Sequence, residues 1–306
     1  MAHMREVGNK SMKISVAAVP YFWSREAYQD FYKKLAQLPV DIVYLGETVC
    51  SKRRTMGFPD WLEIAALLRD AGKEVVLSTI TLLEAESELG FLSKIAAQKD
   101  YLVEANDKSA VQVAQSKGNP FVVGSQINLY NNKSLIFFHK LGMNRWSIPV
   151  ELGRDDLAPM LSEAKKLNIE TEYQVFGRMP LAYSARCFTA RHHRLPKDDC
   201  QFRCIDDEQG ILVKTQEGDS FAQINGIQTQ SAKLNYLLDR WQELEAAGID
   251  ILRIMPVSAA DTLEVVEQLA KALANNEPLA SLDNLQSDYE YCNGYWLQIE
   301  GMKFQE

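Results

Sequence analysis

Short β-branched runs alternate along the whole chain with amphipathic stretches of helical period, the rhythm of βα units around a parallel sheet. Strands are expected near Lys13–Val19, Asp41–Leu45, Glu74–Thr79, Tyr101–Glu104, Phe121–Gln126, Arg145–Val150, Ile169–Phe176 and Ile251–Met255. Helical patterns lie at Arg25–Gln37, Asp60–Asp70, Leu83–Ala97, Lys108–Lys117, Ser134–Leu141, Asp155–Leu167, Leu234–Ala247 and Asp261–Asn275. Gly72, Gly118, Gly142 and Gly248 stand just past helical stretches, where a left-handed residue ends a helix. Pro59-Asp60 and Asp155-Asp156 open others, since proline fits the first turn and carboxylates suit the helix dipole. Eight strand signals interleaved with eight helix signals fit a single (β/α)8-type, TIM-like barrel. An open doubly wound sheet fits less well, because no Gly-x-Gly-x-x-Gly follows any strand.

The 306 residues suit one such domain. Residues 1–12 read as a cloning scar and disordered N-terminus, because a second Met follows Ala2-His3. Residues 13–306 read as the barrel domain, with an insertion over 177–227 and an aromatic C-terminal tail. That insertion, Gly177 to Ile227, shows no convincing helix, and a plain loop of its length is uncommon unless it is functional or carries structure of its own. Ile211–Lys214 and Ser220–Ile224 alternate across Glu217-Gly218-Asp219 and read as a β-hairpin.

Composition narrows the function classes. There are 33 Lys and Arg against 41 Asp and Glu, a net charge of −8, which disfavours non-specific nucleic-acid binding. The longest apolar run, Ile14 to Trp23, falls well short of the ~18–20 residues a bilayer span needs. The expected setting is the cytoplasm, where cysteines stay reduced, and the odd count of five also argues against a closed disulfide framework.

Three of those cysteines, Cys187, Cys200 and Cys204, lie inside the insertion, and Cys50 follows the second strand. In a parallel barrel all C-terminal strand ends open on one face, so loops after strands two and seven can converge. Four thiolates there could close a zinc site or hold an iron–sulfur cluster, and the spacing alone does not separate the two. The neighbours Lys52, Arg53, Arg186 and Arg203 are cations, which favour thiolates. The alternative is four small buried residues without chemistry. Cys292, in the aromatic tail Tyr289 to Trp296, reads as a spare that helps seal the barrel.

Glu172-Tyr173-Gln174-Val175-Phe176-Gly177, followed by Pro180-Leu181-Ala182-Tyr183-Ser184-Ala185-Arg186-Cys187, resembles the signature of the collagenase-like U-type peptidase family. Gly46 to Arg54 together with Tyr183 to Arg191 resembles a branch of that family not known for peptidase activity. The resemblance implies a 4Fe–4S cluster held by Cys50, Cys187, Cys200 and Cys204. It also implies a heterodimer with a UbiU-like paralogous subunit, acting in oxygen-independent ring hydroxylation of a ubiquinone precursor, with prephenate as oxygen source. Where the wider family carries a His-Gly-Ala-type turn and another Cys, this chain has Gly177-Arg178-Met179-Pro180, which weakens the transfer of peptidase chemistry. A peptidase and a non-catalytic, metal-stabilised partner subunit remain the alternatives.

Among other polar residues, Arg53 and Arg186 are candidates for clamping a dicarboxylate substrate, whereas Arg54 reads as a surface cation. Glu47, Ser78-Thr79, Glu104, Asn106, Ser125-Gln126, Asn128, Glu151 and Gln174 fall at strand ends and read mostly as solvated rim or helix caps. His192-His193 reads as part of an exposed basic loop, and His139 as structural. No Gly-x-Ser-x-Gly or His-Glu-x-x-His occurs.

Overall fold

A computed structural model describes residues 12–279, 282, 285 and 289–306. The expected scar over residues 1–11 lies outside the described residues, while Met12 is buried beside the first strand. The barrel elements follow in order: β1 (Lys13–Val16), α1 (Arg25–Leu35), β2 (Ile42–Leu45), α2 (Phe58–Asp70), β3 (Glu74–Ser78), α3 (Glu86–Ala97), β4 (Leu102–Ala105), α4 (Lys108–Ser116), β5 (Phe121–Val123), α5 (Asn132–Lys140), β6 (Met143–Ser147), α6 (Arg154–Lys166) and β7 (Glu170–Tyr183). Past β7 come α7 (Phe188–His192), β8 (Ile211–Lys214), β9 (Ser220–Asn225), β10 (Gln228–Tyr236), α8 (Trp241–Ala247), β11 (Ile251–Ile254), α9 (Ala259–Asn275), β12 (Tyr291–Cys292) and α10 (Gly294–Leu297). Strands β1 to β7 pair in parallel in sequence order, and β11 pairs in parallel with both β7 and β1. That closes an all-parallel barrel of eight strands with helices between them, as the alternation implies.

Local chemistry explains the helices. In α1, Tyr28, Phe31, Tyr32 and Leu35 bury one stripe at helical spacing, and Ser24 caps the start by accepting from Ala27 N at 3.1 Å. The aromatic rings of Trp23, Tyr28, Phe31, Tyr32 and Trp61 then meet edge-on or tilted, locking α1 to α2.

Most boundaries fall within about three residues of the sequence reading, and two differ by more. β7 does not stop at Phe176 but leaves the barrel and runs on to Tyr183, pairing antiparallel with β10. Gly177 makes that exit: its φ is +100° and a Cβ there would sit 2.2 Å from the Met255 carbonyl oxygen. The helix expected from Leu234 begins only at Trp241, because Leu234 to Tyr236 complete β10 against β7, and Leu234 and Asn235 also pair with β12. The β8–β9 hairpin forms where the alternation placed it, with β10 as a third strand.

The barrel interior is not wholly aliphatic. Arg253 stacks on the Tyr44 ring at 4.2 Å and donates to Glu172 Oε2 and Glu104 Oε1, each at 2.8 Å. Ser15 and Tyr44 hydroxyls also donate to Glu172, and Ser78 and Asn106 donate to Glu104. These carboxylates are therefore interior, not rim, and Ser78, Thr79, Asn106 and Gln174 are buried too, contrary to the solvated-rim expectation. Inward side chains on opposing strands reach one another across the lumen, so charge can be satisfied there only in mutually paired sets.

A second ion-pair set sits at the N-terminal end, where Arg145 bridges Glu74 and Glu170, and Lys13 reaches Glu170 at 2.7 Å. Burial raises the Glu170 carboxyl, but Lys13 and Arg145 outweigh it and hold the group at about 2. Because the folded value lies below the ordinary 4.5, this stabilisation is complete above 4.5 and is lost as pH falls toward about 2. Acid titration followed by circular dichroism should show Glu170→Gln losing about 1–2 kcal/mol less stability than the parent across that window. Equal acid sensitivity would contradict the assignment.

Candidate functional site

Cys50, Cys187, Cys200 and Cys204 line one pocket, together with Lys52, Arg53, Thr189 and Gly226. All four cysteines are half-buried. They reach the pocket from two directions. Cys50 lies in the β2–α2 loop, held where Glu47 accepts from Val49 N at 2.8 Å and Cys50 N at 3.0 Å. Cys187 caps α7, its Sγ accepting from Ala190 N at 3.4 Å. Cys200 ends one short 3-10 turn, and Cys204 lies in the next. Between them, Gln201 and Phe202 both take positive φ and fold the spacer back on itself. Among the described residues no three His, Cys, Asp or Glu side chains form a group that could hold a metal ion as they stand.

The two loops are tied together. Lys52 donates to Lys197 O and Asp198 Oδ1, both at 2.9 Å, and Lys197 donates to Ala185 O at 2.6 Å and pairs with Glu84. From the other side the β9–β10 turn closes on α7: Phe188 N donates to Gly226 O, and Gly226 N to Thr189 Oγ1, each at 2.9 Å. The pocket is thus assembled by chain segments remote in sequence, as an expectation of converging loops requires.

Arg53 forms the pocket's inner wall and is 4% exposed. Its guanidinium donates to Pro20 O at 2.8 Å and Asn225 Oδ1 at 2.6 Å, lies 3.8 Å from Glu47, and leaves Nε without a hydrogen-bond partner. Asn225 is in turn held by Pro20 O and Gln228, and Gln228 donates to the Tyr183 hydroxyl at 2.6 Å. Sequence reading gave Asn225 and Gln228 no role. Their signal is a polar Asn-Gly-Ile-Gln turn that a bland hairpin would not need.

At Cys50 and Cys204 burial outweighs the neighbouring cations. Burial pushes Cys50 up to about 11, with Arg53 offsetting only part of it, and burial likewise raises Cys204. Nearby cations do favour the thiolate, as expected, but at these two positions desolvation is the larger effect. The two candidate clamp arginines sit in different surroundings. Arg53 is buried and committed to the protein, while Arg186 is exposed and lines neither the cysteine pocket nor the mouth groove bounded by Ser125, Gln126, Asn128, Glu151 and Tyr183.

Cys292 lies apart, buried with Val150, Met179 and Tyr295. His192 is exposed, whereas His193 is half-buried, 3.7 Å from Asp207. His139 Nδ1 lies 3.3 Å from Met143 O within the α5–β6 turn, a structural contact.

Solved structures match the chain at low identity and at TM-scores below 0.5. The phospho-2-dehydro-3-deoxyheptonate aldolase of Thermotoga maritima matches with 11% identity over 89% of this chain and 72% of that chain, at a TM-score of 0.41. The spore cortex-lytic enzyme SleL of Bacillus cereus matches with 9% identity over 88% and 76%, at 0.42. A conserved protein of unknown function from Enterococcus faecalis matches with 9% identity over 87% and 67%, at 0.44. A family model is more specific: that of Peptidase family U32 matches residues 29–289, and the chain belongs to this family.

Proposed function

We propose that the protein is a UbiV-like iron–sulfur subunit required for oxygen-independent hydroxylation in anaerobic ubiquinone biosynthesis, acting as a heterodimer with a UbiU-like partner. The observation that carries this reading is the meeting of Cys50 with Cys187, Cys200 and Cys204 around one pocket walled by a buried arginine. A cubane cluster takes one thiolate per iron corner, so its ligands ring a volume instead of meeting at a point. A single zinc ion needs all four sulfurs about 2.3 Å from one centre. Four cysteines around one pocket are the donor set a 4Fe–4S cluster takes, with Cys50, Cys187, Cys200 and Cys204 as its ligands in this reading.

The chemistry of the wall fits the same group. Thiols raised by burial are poor ligands to water-solvated ions, and a cluster compensates by replacing their protons with iron. Four thiolates around such a cluster leave net negative charge in a half-buried site. Arg53 supplies a fixed, fully buried counter-charge, and Lys52 a second at the rim. When bound, a 4Fe–4S cluster supplies one-electron chemistry. Cys50, Cys187, Cys200 and Cys204 would hold it, and buried Arg53 would exclude water on its side. Prephenate is the organic oxygen donor in this reading, and the ring of a ubiquinone precursor is the acceptor.

The test is reconstitution with the paralogous partner, without oxygen, on a ubiquinone precursor. Cys187→Ser should lose both iron and hydroxylation, with residual activity below about 1% of parent. A fully active, iron-free Cys187→Ser protein would remove the reading.

A further inference from the structure

We propose that a groove beside the cysteine pocket is a binding site for a small aromatic carboxylate. It encloses about 330 Å³ at the C-terminal ends of β2 and β3, between the starts of α2 and α3. That volume lies at the lower end of the ~300–1,000 Å³ typical of small-molecule sites. Its walls are Met56, Trp61, Ile80 and Phe91. Phe91 is 41% exposed at the rim and meets Phe58 edge-on at 6.3 Å, presenting an aromatic face that no residue covers fully. Such walls favour a flat apolar body.

The charges on the lining select the head group. Glu47 is committed to the Val49 and Cys50 amides, and Glu88 to the Ser51 hydroxyl and the Glu84 amide. Arg53 is tied to Pro20 and Asn225. Arg54 differs: it is exposed, and among the described residues its side chain makes one long contact, Nε to Ser51 O at 3.4 Å. The first turns of α2 and α3 border the same groove at Gly57 and Ser87, where Asp60 and Glu88 cap them. Arg54 is therefore the cation of the lining least tied to the protein, and one carboxylate on an apolar ring complements it.

The inference rests on the proposed cluster in one respect. Arg53 lines both the groove and the cysteine pocket, so a ligand in the groove stands against the wall of the cluster site, where a substrate of that site belongs.

The test uses the full chain purified without oxygen, titrated calorimetrically with 4-butylbenzoate and with neutral 4-butylbenzamide, and assayed in each sample for iron. The carboxylate should bind saturably and more tightly than the amide. Arg54→Gln should weaken the carboxylate about fivefold and leave the amide unchanged, while Phe91→Ala should weaken both about tenfold. Iron content should be the same in both variants. Absent saturable binding, or binding indifferent to both substitutions, would overturn the groove whatever the iron content. Carboxylate binding by iron-free protein would uphold the groove and remove the cluster reading instead.

Discussion

Arg253→Met is expected to destabilise the barrel by about 3–5 kcal/mol, measured by urea unfolding. Arg253 lies between Glu104 and Glu172 in the lumen, donating to each at 2.8 Å, and all three are buried. Methionine fills much of the same space but leaves two buried carboxylates with only hydroxyl and amide donors. Desolvated charge without a partner costs far more than the paired set contributed. Adding Glu104→Gln to Arg253→Met should recover part of the loss, because it removes one orphaned charge. If the double variant is no more stable than the single one, the loss comes from packing over Tyr44 and the ion-pair account fails.

The second large effect is expected at Gly177, where β7 leaves the barrel. Gly177→Val places a Cβ 2.2 Å from the Met255 carbonyl oxygen and forces a branched residue to φ +100°. The combined clash and strain should cost about 3–4 kcal/mol. Gly142→Ala is the comparison: its φ is +110°, but the nearest atom to a new Cβ is 3.6 Å away. It should cost only about 1 kcal/mol, the price of a positive φ alone. The Gly177 variant should also lose iron, since β7 beyond it leads directly to Cys187. Equal losses from the two substitutions would mean that the close approach to Met255 contributes nothing.

The barrel was legible because its signals are local. Each strand is a short buried run and each helix repeats every three to four residues, and both periods survive in sequence. The errors fall where pairing is non-local. Leu234, Leu237, Leu238 and Trp241 are spaced like a helix face, yet Leu234 belongs to β10 because β7 runs on to meet it. Nothing in Gly177-Arg178-Met179-Pro180 announces a continuing strand, since proline normally ends one. In the lumen the same limit applies. Arg253 in Ile251-Leu252-Arg253-Ile254 and Glu172 in the seventh strand were visible as charges inside apolar runs, but their partnership depends on barrel closure. The cysteines could be singled out by position. The buried role of Arg53 could not, because its partners Pro20 and Asn225 lie far away in sequence on either side.

Iron, zinc and acid-labile sulfide in protein purified without oxygen test the central claim most directly, with Cys50→Ser and Cys292→Ser measured beside the parent. The account predicts roughly four irons and four sulfides per chain, lost in Cys50→Ser and retained in Cys292→Ser. Zinc without sulfide, or iron that depends on Cys292 and not on Cys50, would contradict it.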